Sequence, residues 1–145
     1  MKKIKKNGFT LFELLVSISI IGILTALASV AFSGAQKKAR DARRMQDVRA
    51  IQTAAEQFYS QSLTYVYPAS GNYSFGNVWV SGIGTTILAS YPIDPKGVAY
   101  TCSSCTTSNY CVCTDTEDDD RNANSGDICD FSAGTKTHFC VRNQQ

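Results

Sequence analysis

Hydrophobic and polar residues are strongly segregated along this chain. Residues 14–32 are apolar or small, and their only polar interruptions are Ser17, Ser19, Thr25 and Ser29. An α-helix needs about 20 such residues to cross a bilayer. The pattern therefore predicts one membrane-spanning helix close to the start of the chain.

The helical pattern continues over residues 36–61, where apolar residues recur three or four positions apart. The repeating positions are Ala42, Met45, Val48, Ile51, Ala55 and Phe58. Basic residues fall mostly on other faces of this helix, namely Lys37, Arg40, Arg43, Arg44 and Arg49. We expect an apolar stripe packed on a small sheet and a solvated basic face, with Asp41 and Asp47 pairing with basic neighbours on the helix surface.

Beyond this helix, the pattern predicts a small sheet. Pro68 disfavours helical angles for the residue before it, so we expect the helix to end just before this proline. Residues 91–97 hold two prolines and a glycine and predict a rigid turn. Residues 74–83 predict at most one short strand, and residues 86–89 predict one turn of helix. The clearer strand candidates, which suggest a three-stranded antiparallel sheet against the helix, are residues 98–102, 110–114 and 138–142.

Composition adds a charge asymmetry to this picture. The chain has 145 residues, enough for one small domain and an anchor. Its formal net charge is +2, but several of its 14 basic residues lie at the very start: Lys2, Lys3, Lys5 and Lys6. Loss of these four would leave ten basic residues against 12 acidic ones, a net charge of −2. Lysines before the span favour an outward-pointing C-terminus, and overall charge gives no case for nucleic-acid binding.

Glu13 is a charged residue at the start of the apolar segment. An ionised carboxylate in or near hydrocarbon is costly and requires a partner. The preceding lysines could supply one. Cleavage after Gly8 would supply another, a free amine on Phe9 that shares a helix face with Glu13, and the amine of a neighbouring copy could also pair with it. A secretory signal peptide or an uncut signal anchor would leave this charge unexplained, so the pattern favours an anchor that packs against copies of itself.

Residues 5–16, with the sequence KKNGFTLFELLV, resemble the processing site of type IV prepilins and type II secretion pseudopilins. The resemblance implies that a membrane peptidase cuts after Gly8 and methylates the new N-terminal Phe9. It also implies that Glu13 guides subunit docking. The implied domains are a leader peptide over residues 1–8, a membrane and filament-core helix over residues 9–35, and an extracellular pilin domain over residues 36–145.

The resemblance further implies an α+β type IV pilin fold, in which a long N-terminal helix packs on a small antiparallel sheet and disulfides staple the C-terminal region. The implied function is that of a structural subunit, which polymerises into a helical homo-oligomeric filament for adhesion, motility or DNA uptake. The implied partners are prepilin peptidase, an assembly ATPase and a platform protein. The chain would pass from the cytoplasmic membrane, as a single-pass precursor, to a pilus at the cell surface.

Two other functions stay open. Residues 92–95 resemble the Pro-x-Asp-Pro element of pseudopilins, which favours a subunit of a type II secretion or competence system. A membrane-anchored extracellular binding module that never polymerises is the alternative from another class. An enzyme is not predicted, because His138 and Cys140 would need a free thiol and an orienting group to act as a nucleophilic pair.

A cluster of basic residues follows the apolar segment and suggests further partners. Its members are Lys37, Lys38, Arg40, Arg43 and Arg44. Anionic lipid headgroups before assembly, or acidic groups of a neighbouring subunit, would suit these cations. Several clustered cations are also what phosphate contacts need. Nucleic acid is nevertheless disfavoured as a partner, because we expect this stretch to be crowded inside a filament.

All the cysteines lie in the C-terminal part of the chain: Cys102, Cys105, Cys111, Cys113, Cys129 and Cys140. An even number in a small region outside the membrane favours disulfides, and six cysteines leave fifteen pairings open. Zinc is the rival interpretation, but the spacing of Cys111 and Cys113 is tighter than zinc knuckles use. We also expect the two thiols of that pair to point to opposite faces of a strand.

Residues 115–130 form a strongly acidic segment. It is either a solvated loop or a calcium site, because Ca²⁺ takes several carboxylate and amide oxygens. A misplaced glycine and the lack of a closing glutamate argue against an EF-hand. The resemblance adds weight to calcium, since major pseudopilins bind this ion in a C-terminal acidic loop. The candidate ligands are Asp118, Asp120, Asn122, Asn124 and Asp127.

Overall fold

In the computed structural model of this protein, the structure describes residues 8–102, 104–117, 122–123, 129–132 and 138–145. Contacts between Cα atoms divide the chain into two compact units, Met1–Gln36 and Lys37–Gln145. Each unit is described by itself below.

The long predicted helix is present. Helix α1 runs over Leu11–Gln61, so the boundary expected before Pro68 is confirmed within a few residues. Beyond the helix end, the Val66 N–H donates to the Ser62 hydroxyl oxygen at 2.8 Å and the chain leaves the helical path. In the first unit, the side chains of residues 8–36 are all exposed.

The second unit contains two small antiparallel sheets. Strands β1 and β2 pair in one of them, and β3, β4 and β5 lie in that order in the other. The strands are β1 Trp79–Val80, β2 Thr86–Leu88, β3 Thr101–Cys102, β4 Cys111–Asp115 and β5 His138–Arg142. The predicted three-stranded sheet is therefore confirmed, with a shorter first strand. The helical turn expected at residues 86–89 is wrong, because this segment pairs with β1 instead.

The core of the second unit lies between α1 and the sheets. Its helical side is formed by Val48, Ile51, Ala54 and Ala55, all buried. Aromatic rings form much of the rest, and the buried ones are Tyr67, Tyr73, Trp79, Tyr91, Tyr100, Tyr110 and Phe139. The predicted apolar stripe is thus confirmed at three of its central positions, Val48, Ile51 and Ala55. Met45 and Phe58 are partly buried at its two ends.

The stripe prediction is wrong at Ala42, which is exposed. Asp41 and Arg44 are the buried residues at this level of the helix. The expectation that Arg44 belongs to a solvated basic face is therefore also wrong. The physical reason is that Asp94 and Glu117, from distant parts of the chain, reach this turn of α1 and bind the guanidinium together with Asp41 of the helix itself.

All six cysteines form disulfides, which confirms the disulfide interpretation. The pairs are Cys102–Cys105, Cys111–Cys129 and Cys113–Cys140. The expectation that Cys111 and Cys113 point to opposite faces is wrong, because residues two apart on a strand share a face. Their sulfur atoms lie 3.6 Å from each other on β4.

Candidate processing and assembly site

Thr10 and Glu13 form a reciprocal cap at the start of α1. The Thr10 N–H and hydroxyl both donate to Oε2 of Glu13 at 2.8 Å, and the Glu13 N–H donates to Oγ1 of Thr10 at 3.2 Å. A threonine followed three residues later by a glutamate is the sequence form of a capping box. The Leu14 N–H donates to the Thr10 carbonyl at 3.2 Å, which makes Thr10 the N-cap residue.

The predicted cleavage site lies directly before this cap. Gly8 and Phe9 precede the helix and are exposed, and the Phe9 side chain is 89% accessible. The structure therefore places the Gly8–Phe9 peptide bond in non-helical, accessible chain directly before α1. Among the described residues, the hydrogen-bond donors to the Glu13 carboxylate both belong to Thr10. Thr10 was missed by the sequence reasoning, although the Thr-x-x-Glu pattern was there to be found.

The helix surface that follows is apolar and exposed. Leu27 is 67% accessible, Val30 77% and Phe32 65%. The hydroxyls of Ser17, Ser19 and Thr25 turn back to carbonyl oxygens of the helix itself, at 2.8–2.9 Å. Such bonds satisfy polar side chains where water is absent. Within the described part of the chain, α1 is the one helix long and apolar enough to cross a membrane.

Further along α1, a cluster of charges is built around Arg44. Its Nη1 lies 2.5 Å from Asp41 Oδ1 and 3.0 Å from Glu117 Oε1, and its Nε also donates to Asp94. Arg40 binds Glu117 with two parallel hydrogen bonds of 2.8 and 2.7 Å. Such forked contacts between a guanidinium and a carboxylate are among the stronger charged interactions in proteins.

Lys96 completes this cluster, with its Nζ 3.0 Å from Glu117 Oε1. Three cations therefore face three carboxylates, and the formal charges cancel. Arg40 and Arg44 are therefore held in ion pairs inside the fold. The number of unpaired cations in the predicted basic cluster is smaller than the sequence indicates. Asp94 and Glu117 were not singled out from the sequence as partners of these arginines, since they lie 50 and 73 residues from Arg44 in the chain.

The cluster perturbs the ionisation of its members. Hydrogen bonding to Asp94 raises the pKa of the Arg44 guanidinium, although burial opposes that shift. Hydrogen bonds from Arg40 and Lys96 lower the pKa of the Glu117 carboxyl below its usual value. Burial opposes ionisation of Asp94, but hydrogen bonds from Arg44 and from the Lys96 N–H outweigh burial, so the pKa of Asp94 is also lowered.

The sulfur atoms of Cys111, Cys113 and Cys129 lie within 4.8 Å of one another, a spacing that would suit a metal ion. Each of these sulfurs is instead engaged in a disulfide. Zinc binds thiolates, and a disulfide offers none. The cysteines therefore form a covalent staple in this structure, as the sequence favoured.

The predicted calcium ligands fall mostly outside the described residues: Asp118, Asp120, Asn124 and Asp127. Asn122 is described, and both ends of its amide bind the backbone of Cys140. Its Nδ2 donates to the Cys140 carbonyl at 2.8 Å, and its Oδ1 accepts from the Cys140 N–H at 2.7 Å. Asn122 thus has a structural role on β5, and calcium binding stays a prediction.

These features define a pilin-like architecture: a long apolar N-terminal helix, small antiparallel sheets and disulfides in the C-terminal region. Residues 3–29 match the family model described as the prokaryotic N-terminal methylation motif. A stretch of 61 residues is 34% identical to the type IV major pilin protein PilA of Myxococcus xanthus (strain DK1622). That stretch covers 42% of this chain and 28% of the relative, and no solved structure matches.

The motif and the match to a major pilin support the type IV pilin family for this chain, and the predicted resemblance is confirmed. A pilin or pseudopilin subunit is a structural class of protein and not an enzyme class. The motif and the apolar helix also fit a membrane-anchored precursor.

Proposed function

We propose that this chain is a structural subunit of a type IV pilus. Prepilin peptidase would remove residues 1–8 and methylate Phe9, and residues 9–35 would first anchor the chain and then form the filament core. Residues 36–145 would lie outside the membrane. The observation that carries the proposal is the exposed apolar surface of α1, which begins at a capped helix start that contains Glu13.

The exposed apolar surface of α1 favours removal from water, by lipid or by other protein chains. Leu24, Leu27 and Phe32 are each 59% accessible or more. Burial of apolar surface contributes roughly 25 cal/mol per Å², so these side chains favour lipid before assembly and neighbouring copies of the helix after it. An assembly ATPase and a platform protein would drive the transfer from one environment to the other.

Glu13 can guide the packing of the helix against neighbouring copies, because hydrogen bonds from Thr10 do not neutralise the charge of its carboxylate. Oε2 accepts two hydrogen bonds from Thr10, but the carboxylate keeps its negative charge. A buried charge without a counter-charge is costly. The free amine of Phe9 in an adjacent processed copy would supply the counter-charge, so the arrangement favours packing of copies in one register.

Two substitutions separate the charge of Glu13 from its capping role. Glu13→Gln keeps an oxygen that can accept from Thr10 but removes the charge. Thr10→Val removes the two hydroxyl bonds of the cap and keeps the charge and the backbone N–H bond to Glu13. We expect Glu13→Gln to be processed normally but to yield at least tenfold fewer surface fibres, and Thr10→Val to assemble. N-terminal sequencing of the chain and electron microscopy of sheared fibres measure the two steps.

The alternatives make different predictions in this experiment. Normal fibre yield for Glu13→Gln would contradict the charge hypothesis. A chain that never polymerises, and acts as a membrane-anchored binding module, would keep its localisation and activity in both variants and would give no fibres in the parent strain. Recovery of native chains that keep the lysine-rich start would contradict processing itself.

A pseudopilin is the second candidate, favoured by residues 92–95. The aspartate of this Pro-x-Asp-Pro turn is Asp94, which binds the buried Arg44. Deletion of the gene distinguishes the two functions. Loss of protein secretion with unchanged surface fibres would identify a pseudopilin, and loss of fibres with unchanged secretion would identify a pilus subunit.

Calcium binding by the acidic segment is a separate proposal, supported by the density of its carboxylates. We expect excess Ca²⁺ to raise the melting temperature of the full chain in detergent by several degrees, because a ligand that binds only the folded state stabilises it. A chelator should reverse the shift. Equal melting temperatures in calcium and in chelator would remove the proposal, and Mg²⁺ at the same concentration is the control for ionic strength.

A further inference from the structure

Two of the three disulfides touch each other on one face of the sheet. Cys113 and Cys140 lie opposite each other on β4 and β5, with Cα atoms 4.1 Å apart. Cys111 shares the β4 face with Cys113, and Cys129 reaches the same place from outside the strands. The Cys113 sulfur lies 3.6 Å from the Cys111 sulfur and 3.8 Å from the Cys129 sulfur.

One sulfur atom is therefore in contact with both sulfurs of the other disulfide. Thiol–disulfide exchange proceeds by attack of a thiolate on a disulfide sulfur, so it requires this kind of proximity. All four cysteines are buried, and their accessibilities are between 1% and 8%. Once one bond opens, the nearest disulfide for the new thiolate is within the protein and not in solution.

We propose that Cys111–Cys129 and Cys113–Cys140 form one thiol–disulfide exchange site, in which the sulfurs can re-pair through Cys113. The reagent that opens it is a dithiol, and the partner of that chemistry is an exported dithiol–disulfide isomerase. The site would act while the chain acquires its disulfides outside the cytoplasm. Its purpose would be to let a mispaired chain return to the native pairing without complete reduction.

The exchange balances without a further reductant. A thiolate of the dithiol attacks Cys129 Sγ, the bond to Cys111 breaks, and Cys111 leaves as a thiolate. The Cys111 thiolate attacks Cys113 Sγ and forms a Cys111–Cys113 bond. The Cys113–Cys140 bond breaks at the same time, and Cys140 leaves as a thiolate. The number of protein disulfides is unchanged in this second step. The first step leaves Cys129 bonded to the dithiol as a mixed disulfide. The second thiol of the dithiol attacks that bond, so Cys129 is released as a thiolate and the dithiol becomes oxidised.

The same geometry restricts the products. If Cys113–Cys140 opens first, the Cys113 thiolate attacks Cys111 or Cys129, and Cys140 remains a thiol. Attack on Cys113 from either neighbour also releases Cys140. Every mispaired chain with one internal bond in this cluster should therefore hold Cys113 in a disulfide and carry Cys140 as a thiol.

The test uses the full-length chain in detergent, partly reduced with a limiting amount of a phosphine reductant and then blocked with a maleimide. Tandem mass spectrometry of the digest identifies which two of the four cysteines carry the label. Native opening labels Cys111 with Cys129, or Cys113 with Cys140. Exchange labels Cys140 together with Cys111 or Cys129, and these are the products we expect. Their rate of formation should rise about tenfold per pH unit below the thiol pKa, because the thiolate is the attacking species.

A sample reduced in concentrated guanidinium is the control, since unfolding should also yield products in which Cys113 is labelled in mispaired chains. The Cys111→Ser/Cys129→Ser variant calibrates the labelling, because among the four cysteines of the cluster it can label only Cys113 with Cys140. Labels on Cys102 and Cys105, which form the third disulfide, are counted separately. Folded chains that carry only the two native label pairs would overturn the proposal. Folded mispaired chains with a labelled Cys113 would overturn it as well.

Discussion

Three carboxylates converge on the Arg44 guanidinium, and we predict that this residue contributes strongly to stability. The cation is buried and is bound by Asp41, Asp94 and Glu117. Removing one partner of a buried ion pair is costly because it leaves charge without compensation. Here the loss of one cation would leave a buried excess of negative charge.

We therefore expect Arg44→Met to lower the free energy of unfolding by about 3–5 kcal/mol. The matched control is Arg43→Met, one position away on the same helix. The Arg43 side chain is 64% exposed and pairs with Asp47 at 3.0 Å, so its loss should cost about 1 kcal/mol or less. Denaturant unfolding of both variants, followed by circular dichroism, gives the comparison. Similar losses for the two variants would contradict a central role for Arg44.

At the scale of elements, the same cluster joins three parts of the second unit. Arg40 and Arg44 lie on α1, Asp94 and Lys96 lie in the turn before β3, and Glu117 follows β4. The Glu117 N–H also donates to both oxygens of Asp41, at 3.0 and 2.9 Å. Glu117 is thus the point at which the chain leaving β4 is attached to the helix.

This attachment should depend on pH. The pKa of Glu117 and that of Asp94 are lowered in the folded state. A carboxyl with a lowered pKa contributes stability that is fully present above its unfolded pKa and is lost as pH falls below about 4. We expect the melting temperature to fall between pH 5 and pH 3, and to fall less in Glu117→Gln, which cannot be protonated. An equal pH dependence in the two proteins would contradict this prediction.

The elements themselves differ in how far the sequence determines them. The extent of α1 and the three-stranded sheet follow from local patterns, namely apolar periodicity, Pro68 and runs of β-favouring residues. Strand β2 does not, because Thr86 and Ile87 acquire their strand conformation by pairing with β1, several residues away. Pattern analysis found the candidate processing residues but missed the Thr10 cap.

The burial of Arg44 could not be predicted from local sequence patterns. A charged residue on a predicted helix is normally taken as solvated, since burial of a lone charge is unfavourable. Arg44 breaks this expectation because its partners come from the turn at Asp94 and from Glu117. The same holds for the disulfide pairing, which depends on the register of β4 and β5 and on where Cys129 lies.

At the scale of the whole molecule, the buried core residues that the structure describes all lie in Lys37–Gln145. We predict that this unit, expressed alone, is folded and remains in solution without detergent, because it contains the buried core, whereas the described residues 8–36 are exposed. Analytical ultracentrifugation and near-ultraviolet circular dichroism test this expectation. Val48→Asp in the same fragment is the control that should unfold it, since Val48 is fully buried. A fragment that aggregates without detergent would contradict the prediction.

The electrical neutrality of the Arg44 cluster has a consequence at long range. Opposite charges a few ångströms apart cancel beyond a Debye length, which is about 8 Å at physiological ionic strength. Arg43 is also paired, with Asp47 at 3.0 Å. Of the five cations at positions 37, 38, 40, 43 and 44, an approaching polyanion would therefore respond chiefly to Lys37 and Lys38. The salt sensitivity of any such encounter would then be that of a weakly basic surface, although the printed sequence suggests a strongly basic one.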